Sequence, residues 1–182
     1  MSTSTARDPR PLVGEPTALD LLNTRWVEDG VEHDLLTDTR GLAIWLASNA
    51  LDARFTADEA ALEHLLAARA AIASAVDRPG DAQGASGVDA ILEFGCVRPT
   101  LTADGPGEVT RFPDPAWGPA WTAAYSYLHL LRAPDRIRAC AHPSCVLHFF
   151  DTSRNGTRRW CSMAVCGNRA KASRHHARSR GN

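Results

Sequence analysis

The 182-residue sequence predicts a mostly α fold in two parts. A helical amino-terminal domain with one small β-hairpin is followed by a compact module of β-hairpin plus helix gathered around cysteines. Three observations predict this. Apolar residues recur at three- and four-residue intervals between Thr17 and Arg132, the spacing of one helix face. Clusters of proline, glycine and aspartate divide these runs into segments. Four of the five cysteines fall between Cys140 and Cys166 as two Cys-x4-Cys pairs.

In chain order, residues 1–15 are polar and proline-bearing and predict a flexible tail. Residues 16–134 predict the helical domain. Its first helix is capped by Thr17 and runs to Arg25, with Leu19, Leu22 and Trp26 on one face. Asn23 and Thr24 end it, and either satisfy backbone groups there or contact a ligand. Glu28-Asp29-Gly30 is a turn. A second helix spans 39–49 around Leu42, Trp45 and Leu46. A third, capped by Thr56, spans 57–76 with Leu62, Leu65, Leu66, Arg69, Ile72 and Val76 at helical spacing, and Arg78-Pro79-Gly80 stops it. Asp81 to Gly87 is rich in small residues and predicts a mobile loop, followed by a short helix from Val88 to Phe94. Cys96, outside the paired set, reads as a buried free thiol. Residues 98–102 and 108–112 predict a hairpin. A last helix, to Arg132, presents Trp121, Tyr125, Leu128 and Leu131. Ala133-Pro134-Asp135 is too short a joint to let the next part swing freely, so 135–182 is expected to pack on the helical domain.

Cys140 pairs by spacing with Cys145, and Cys161 with Cys166. Zinc takes four soft or borderline ligands at tetrahedral corners, and two short facing loops supply them. The fifteen intervening residues fit a β-hairpin that returns the second pair to the first. Four thiolates close the coordination shell, so the zinc would be structural. Two disulfides would need an oxidising compartment, and the start of the chain lacks the apolar run of an export signal. The expected setting is therefore cytoplasmic and reducing. His142 could replace one thiolate, but beside Pro143 it reads as a solvated loop residue. A module this small folds on metal binding, which in comparable peptides contributes about 10–16 kcal/mol.

Charge is unevenly placed. Residues 136–182 carry ten arginines or lysines against one acid, Asp151, a side-chain charge of +9. Four thiolates and a Zn²⁺ would bring that to about +7. Residues 1–135 hold ten basic and twenty acidic side chains, hence −10, so the formal net charge of −1 conceals a dipolar chain. A cationic face can serve solubility alone. Nucleic acid is favoured because nine of the ten cations are arginine, whose planar fork suits phosphate and guanine. A helix over 168–179 would also align Lys171, Arg174 and Arg178 with His175 as one stripe. The turn from Thr152 to Arg159 adds hydroxyls and Arg154, Arg158 and Arg159 for backbone phosphates. Asn168 reads as the cap of that helix and Arg169 as an anchor of the module, or a partner of Asp151.

These residues carry a resemblance. Trp160-Cys161-Ser162-Met163 and Cys166-Gly167-Asn168-Arg169, with Arg136-Ile137-Arg138-Ala139-Cys140 and Asp151-Thr152-Ser153-Arg154-Asn155 upstream, resemble the CGNR zinc finger. Gly14 and Leu19-Asp20-Leu21-Leu22-Asn23-Thr24 resemble the opening of the ABATE domain that precedes it in that family, described as a stress-induced transcription regulator. Leu147, His148 and Leu21 depart from the usual residues without touching a proposed ligand. The resemblance implies a treble-clef-like finger, structural Zn²⁺ and DNA binding.

The sequence contains no His-Glu-x-x-His, Gly-x-x-x-x-Gly-Lys or Gly-x-Ser-x-Gly, and a four-thiolate site has no open position, so no catalysis is expected. No run approaches the twenty or so apolar residues of a membrane span. The expected function is a transcription regulator whose finger grips double-stranded DNA while the helical domain senses a small-molecule signal or forms a homodimer. The alternative is a zinc-stabilised module binding RNA or protein.

Overall fold

The computed structural model describes residues 7–168. Helices take 44% of it, short of a majority, because irregular connections and small hairpins fill the rest. Among the described residues the strands form three separate two-stranded antiparallel sheets.

Segment 7–16 is not a loose tail. Arg10 is 5% exposed, and its guanidinium bonds the Asp8 carboxylate (2.7 Å) and the Asp20 carboxylate (2.8 Å). Asp20 also accepts from Gly14 N–H (3.0 Å) and Asn49 Nδ2 (2.9 Å). The strap is thus fastened by a buried ionic cluster that its polar, proline-bearing composition does not reveal.

The first helix, α1 (Thr17–Leu22), begins after Pro16 and ends earlier than the apolar spacing predicts. Thr24 turns the chain into β1 (Arg25–Glu28), which pairs with β2 (Val31–Asp34). The two-residue turn between them has positive φ at both Asp29 and Gly30, the geometry that joins strands of matching twist. The expected turn is therefore the tip of a hairpin whose strands were too short to read.

Asp38 accepts from Gly41 N–H (2.8 Å) and starts α2 (Thr39–Ser48), which buries Leu42, Trp45 and Leu46 as predicted. The Leu35 carbonyl passes so close to Gly41 that any Cβ there would collide with it. Asp58, not Thr56, caps α3 (Glu59–Asp77), whose Leu62, Leu65 and Ile72 are buried at helical spacing. The expected mobile loop over 81–87 is instead the beginning of α4 (Ala82–Leu92), capped by Asp81. Its small residues allow backbone contact: a Cβ on Gly84 would lie 2.9 Å from Ala75 Cα of α3.

The one hairpin predicted for the helical part, over 98–102 and 108–112, is β3 (Cys96–Thr102) with β4 (Gly105–Arg111). Cys96 is exposed at its end, not buried. A 3₁₀ turn leads into α5 (Gly118–Leu130), which packs on α1, α3 and α4. Its buried stripe is Ala120, Trp121, Ala123, Ala124, Tyr127 and Leu130, while Leu128 and Leu131 are exposed. Alanines bring the helix close to its neighbours, so the buried face is rotated away from the one predicted by the larger side chains.

The short strands β5 (Ile137–Ala139) and β6 (His148–Phe150) complete the described chain together with a turn of i→i+5 type over Met163–Gly167. Leu147, Phe149 and the buried cysteines join the same apolar cluster as the helices. The two parts of the chain share one core.

Candidate metal centre

β5 and β6 pair through Ile137–Phe150, Arg138–Phe149 and Ala139–His148. The loop between them holds the first cysteine pair, closed by Cys140 N–H to Leu147 O (2.9 Å) and Cys145 N–H to His142 O (2.9 Å). The expected hairpin thus lies around the first pair and not between the pairs. The second pair enters through Ala141 N–H to Arg159 O (2.9 Å) and Cys161 N–H toward Cys140 Sγ (3.5 Å).

All four sulfurs lie within 4.8 Å of one another. Cys161 Sγ is 3.7 Å from Cys145 Sγ and 3.6 Å from Cys166 Sγ. A tetrahedral shell with Zn–S bonds of about 2.3 Å requires sulfurs about 3.8 Å apart, whereas a disulfide requires about 2 Å. The spacing and the all-sulfur donor set therefore fit a tetrahedral soft-metal site. Without a cation the thiols compete for one charge. Hydrogen bonding from Cys161, and from the Leu147 backbone, draws Cys145 down to about 5. Burial pushes Cys166 up to about 12, helped by the charges of Cys145 and Cys140. The hydrogen bond to Cys145 pushes Cys161 up as well. A bound dication removes this mutual suppression, since coordinating thiols are deprotonated outright.

The loop between the pairs is held from within. Asp151 is buried; its carboxylate accepts from Ser153 N–H (2.9 Å) and Arg158 N–H (3.0 Å). Hydrogen bonding from Ser153 leads the effects that hold it below the usual carboxylate range. Arg136 donates to the carbonyls of Asp151 (3.0 Å) and Ser153 (2.6 Å). Arg138 reaches the Gly156 carbonyl at 3.2 Å.

The predicted nucleic-acid residues divide. Arg154 and Arg159 are exposed. Arg158 faces inward: it donates to Trp160 O (3.0 Å), Cys161 O (2.6 Å) and Glu15 (3.3 Å), and lies 4.2 Å from the Phe149 ring centroid. Its donors brace the metal loop, so it is a structural residue and not a free phosphate contact. Lys171, Arg174, His175 and Arg178, with Arg169, lie outside the described residues. Asn168 already has helical φ and ψ and donates to Ala164 O (3.2 Å). It continues the preceding turn and is not the expected cap.

Asn23 and Thr24 are fully buried and internally bonded, which favours the backbone-satisfying role over contact with a ligand. Asn23 Nδ2 donates to His148 O (2.9 Å) and Asn23 Oδ1 accepts from His148 N–H (2.8 Å), as a neighbouring strand would. Thr24 Oγ1 donates to Leu21 O (2.6 Å) and accepts from Arg69 (2.8 Å). Glu15, which the sequence reading passed over, accepts from Phe150 N–H (2.9 Å) as well as from Arg158. A single acid at the end of a polar stretch carried no signal for that role.

A family model described as "Putative stress-induced transcription regulator" (ABATE) matches residues 15–134. The chain belongs to the ABATE family. In this ABATE chain the CGNR zinc finger model matches residues 136–179, covering all four clustered cysteines. The ABATE match begins at Glu15, the residue that fastens β6 of the finger to the helical part. A comparison with curated proteins finds no match. Among the described residues no helix is long and apolar enough to cross a membrane.

Proposed function

We propose that this ABATE chain is a DNA-binding transcription regulator working in the cytoplasm. Residues 135–182 form a treble-clef-like finger held by structural Zn²⁺, and 16–134 form the domain that senses a signal or dimerises. The observation that carries the reading is the charge division, +9 over 136–182 against −10 over 1–135. The acidic body is repelled by a polyanion and the finger attracted, so DNA meets the finger with the body turned away. Arg154 and Arg159 supply exposed cations beside the metal site. Lys171, Arg174, His175 and Arg178 are the proposed groove stripe.

A mobility-shift titration tests it. With three to five phosphates neutralised, affinity for duplex DNA falls roughly 10²-fold between 50 and 200 mM salt. Binding that ignores salt would sink the electrostatic account. The second reading, an RNA- or protein-binding module, is favoured by the inward commitment of Arg136 and Arg158 and by the surface bond of Arg138 to the Gly156 carbonyl. Replacing Arg174 and Arg178 by alanine separates the two. Loss of sequence-selective duplex binding at unchanged zinc content supports DNA recognition; unchanged duplex binding supports the alternative.

A further inference from the structure

A cleft of about 590 Å³ opens where the β1–β2 hairpin, α3 and the metal-binding hairpin meet. Trp26 and His33 contribute one wall, Leu66 and Ala73 a second, and Val146 and His148 a third. The volume lies in the range of small-molecule sites, roughly 300–1,000 Å³, and such sites favour domain junctions. Two further observations concern hydrogen bonding. Among the described residues, three buried side-chain nitrogens have no partner: Trp26 Nε1, His148 Nδ1 and Trp45 Nε1. The first two belong to residues lining this cleft; Trp45 does not line it. Buried polar atoms without partners are rare in folded proteins, and two of these three belong to side chains that line this one cleft, which points to a ligand here that completes their bonding.

The chemistry of the walls narrows that ligand. An indole N–H only donates, so it requires an acceptor, while an imidazole nitrogen can take either part. Trp26 and His33 are stacked, with centroids 5.0 Å apart, giving a flat apolar surface. Arg69 also borders the cleft, but its guanidinium is engaged by Asp34 (2.7 and 2.8 Å) and Thr24 (2.8 Å), which leaves it little call on an anion. Arg25 and Glu32, on the rim, pair loosely at 3.9 Å.

We propose that this cleft is the effector site of the chain, taking an uncharged, mainly apolar small molecule that carries a carbonyl or similar acceptor. Such a molecule contacts both parts at once, because Cys145, a metal ligand, also lines the cleft. Its regulatory meaning rests on the function proposed above. Its occupancy is measured without nucleic acid, so the two readings can fail separately.

The test uses full-length, zinc-loaded protein and 6-propionyl-2-(dimethylamino)naphthalene, a neutral naphthyl ketone whose emission moves to the blue when shielded from water. Saturable one-to-one binding with a blue shift is expected. Trp26→Phe keeps a ring on His33 but removes the donor, and should weaken binding about three- to tenfold, the loss of one hydrogen bond. Ala73→Phe should abolish binding by filling the cleft. Val146→Trp, at a position 50% exposed, blocks the mouth without disturbing the core and stands in if Ala73→Phe does not fold. Circular dichroism and zinc content verify each variant. Absence of saturable binding, or equal binding by wild type and all folded variants, overturns the site. Tighter binding of the anionic 8-anilinonaphthalene-1-sulfonate overturns the assignment of an uncharged ligand.

Discussion

Asn23 shows what one buried amide can do. Its two hydrogen bonds to the His148 backbone let a helix-end residue mimic a strand neighbour, where β6 would otherwise leave peptide groups bare. Asn23→Ala removes both partners and leaves a buried N–H and C=O, so a loss of about 2–4 kcal/mol is expected in urea denaturation. Asp34 gives a pH prediction. Burial opposes its ionisation, but hydrogen bonds from Arg69 and Leu36 N–H and the Arg69 charge prevail and hold its carboxyl below the usual range. A depressed folded-state value means that the stabilisation is complete above the unfolded value of about 3.9 and disappears as pH falls through the folded one. Thermal melts of wild type and Asp34→Asn should therefore converge on acidification. A constant gap between pH 6 and pH 2 would contradict this.

At the scale of elements, the finger is the part that cannot stand on burial alone. Its sheet has two strands of three residues, Ile137–Ala139 and His148–Phe150, and such a hairpin is marginal in water. Chelation should melt the segment from Ile137 to Gly167 and, through the shared core, lower the denaturant midpoint of the helices as well, and the released thiolates should take up protons. Cys161→Ser should lower metal content to well below one ion per chain, measured by native mass spectrometry. A finger that keeps its structure after thorough chelation would remove zinc from its account. α4 teaches a different lesson about elements. Glycines and alanines that read as a loop make a helix here, because Gly84 faces α3 closely enough to exclude a larger side chain and Gly87 lies in tight contact with Ala71.

Across the whole molecule the two parts behave as one body. Leu147 and Phe149 of the finger belong to the core that includes Leu19, Leu65 and Tyr127. Glu15 and Asn23 add polar ties from the helical part to β6. Unfolding followed by far-ultraviolet circular dichroism and by zinc release to a chromophoric chelator should therefore share one midpoint under denaturant. Two separated midpoints would show that the finger and the helical part are independent. Under the proposed function a shared core offers a means of coupling: a ligand in the proposed cleft between α3 and β6 would act on a surface that both parts own.

The sequence by itself determined the four-cysteine cluster, the charge division and the long apolar helices, because each is written in residue type and local spacing. Two Cys-x4-Cys pairs need no distant partner to be legible, nor does the alternation that buries Leu62, Leu65 and Ile72. Tertiary structure alone decided which polar residues are committed inside. Arg10 with Asp20, Arg158 with Glu15, and Asn23 with His148 lie far apart along the chain or carry no motif. It also decided that Ala120, Ala123 and Ala124, and not Leu128 and Leu131, lie on the buried face at α5, since close approach between helices depends on what lies opposite. A side chain's fate follows its own chemistry only until another segment arrives to bond it, and that arrival is a property of the folded chain.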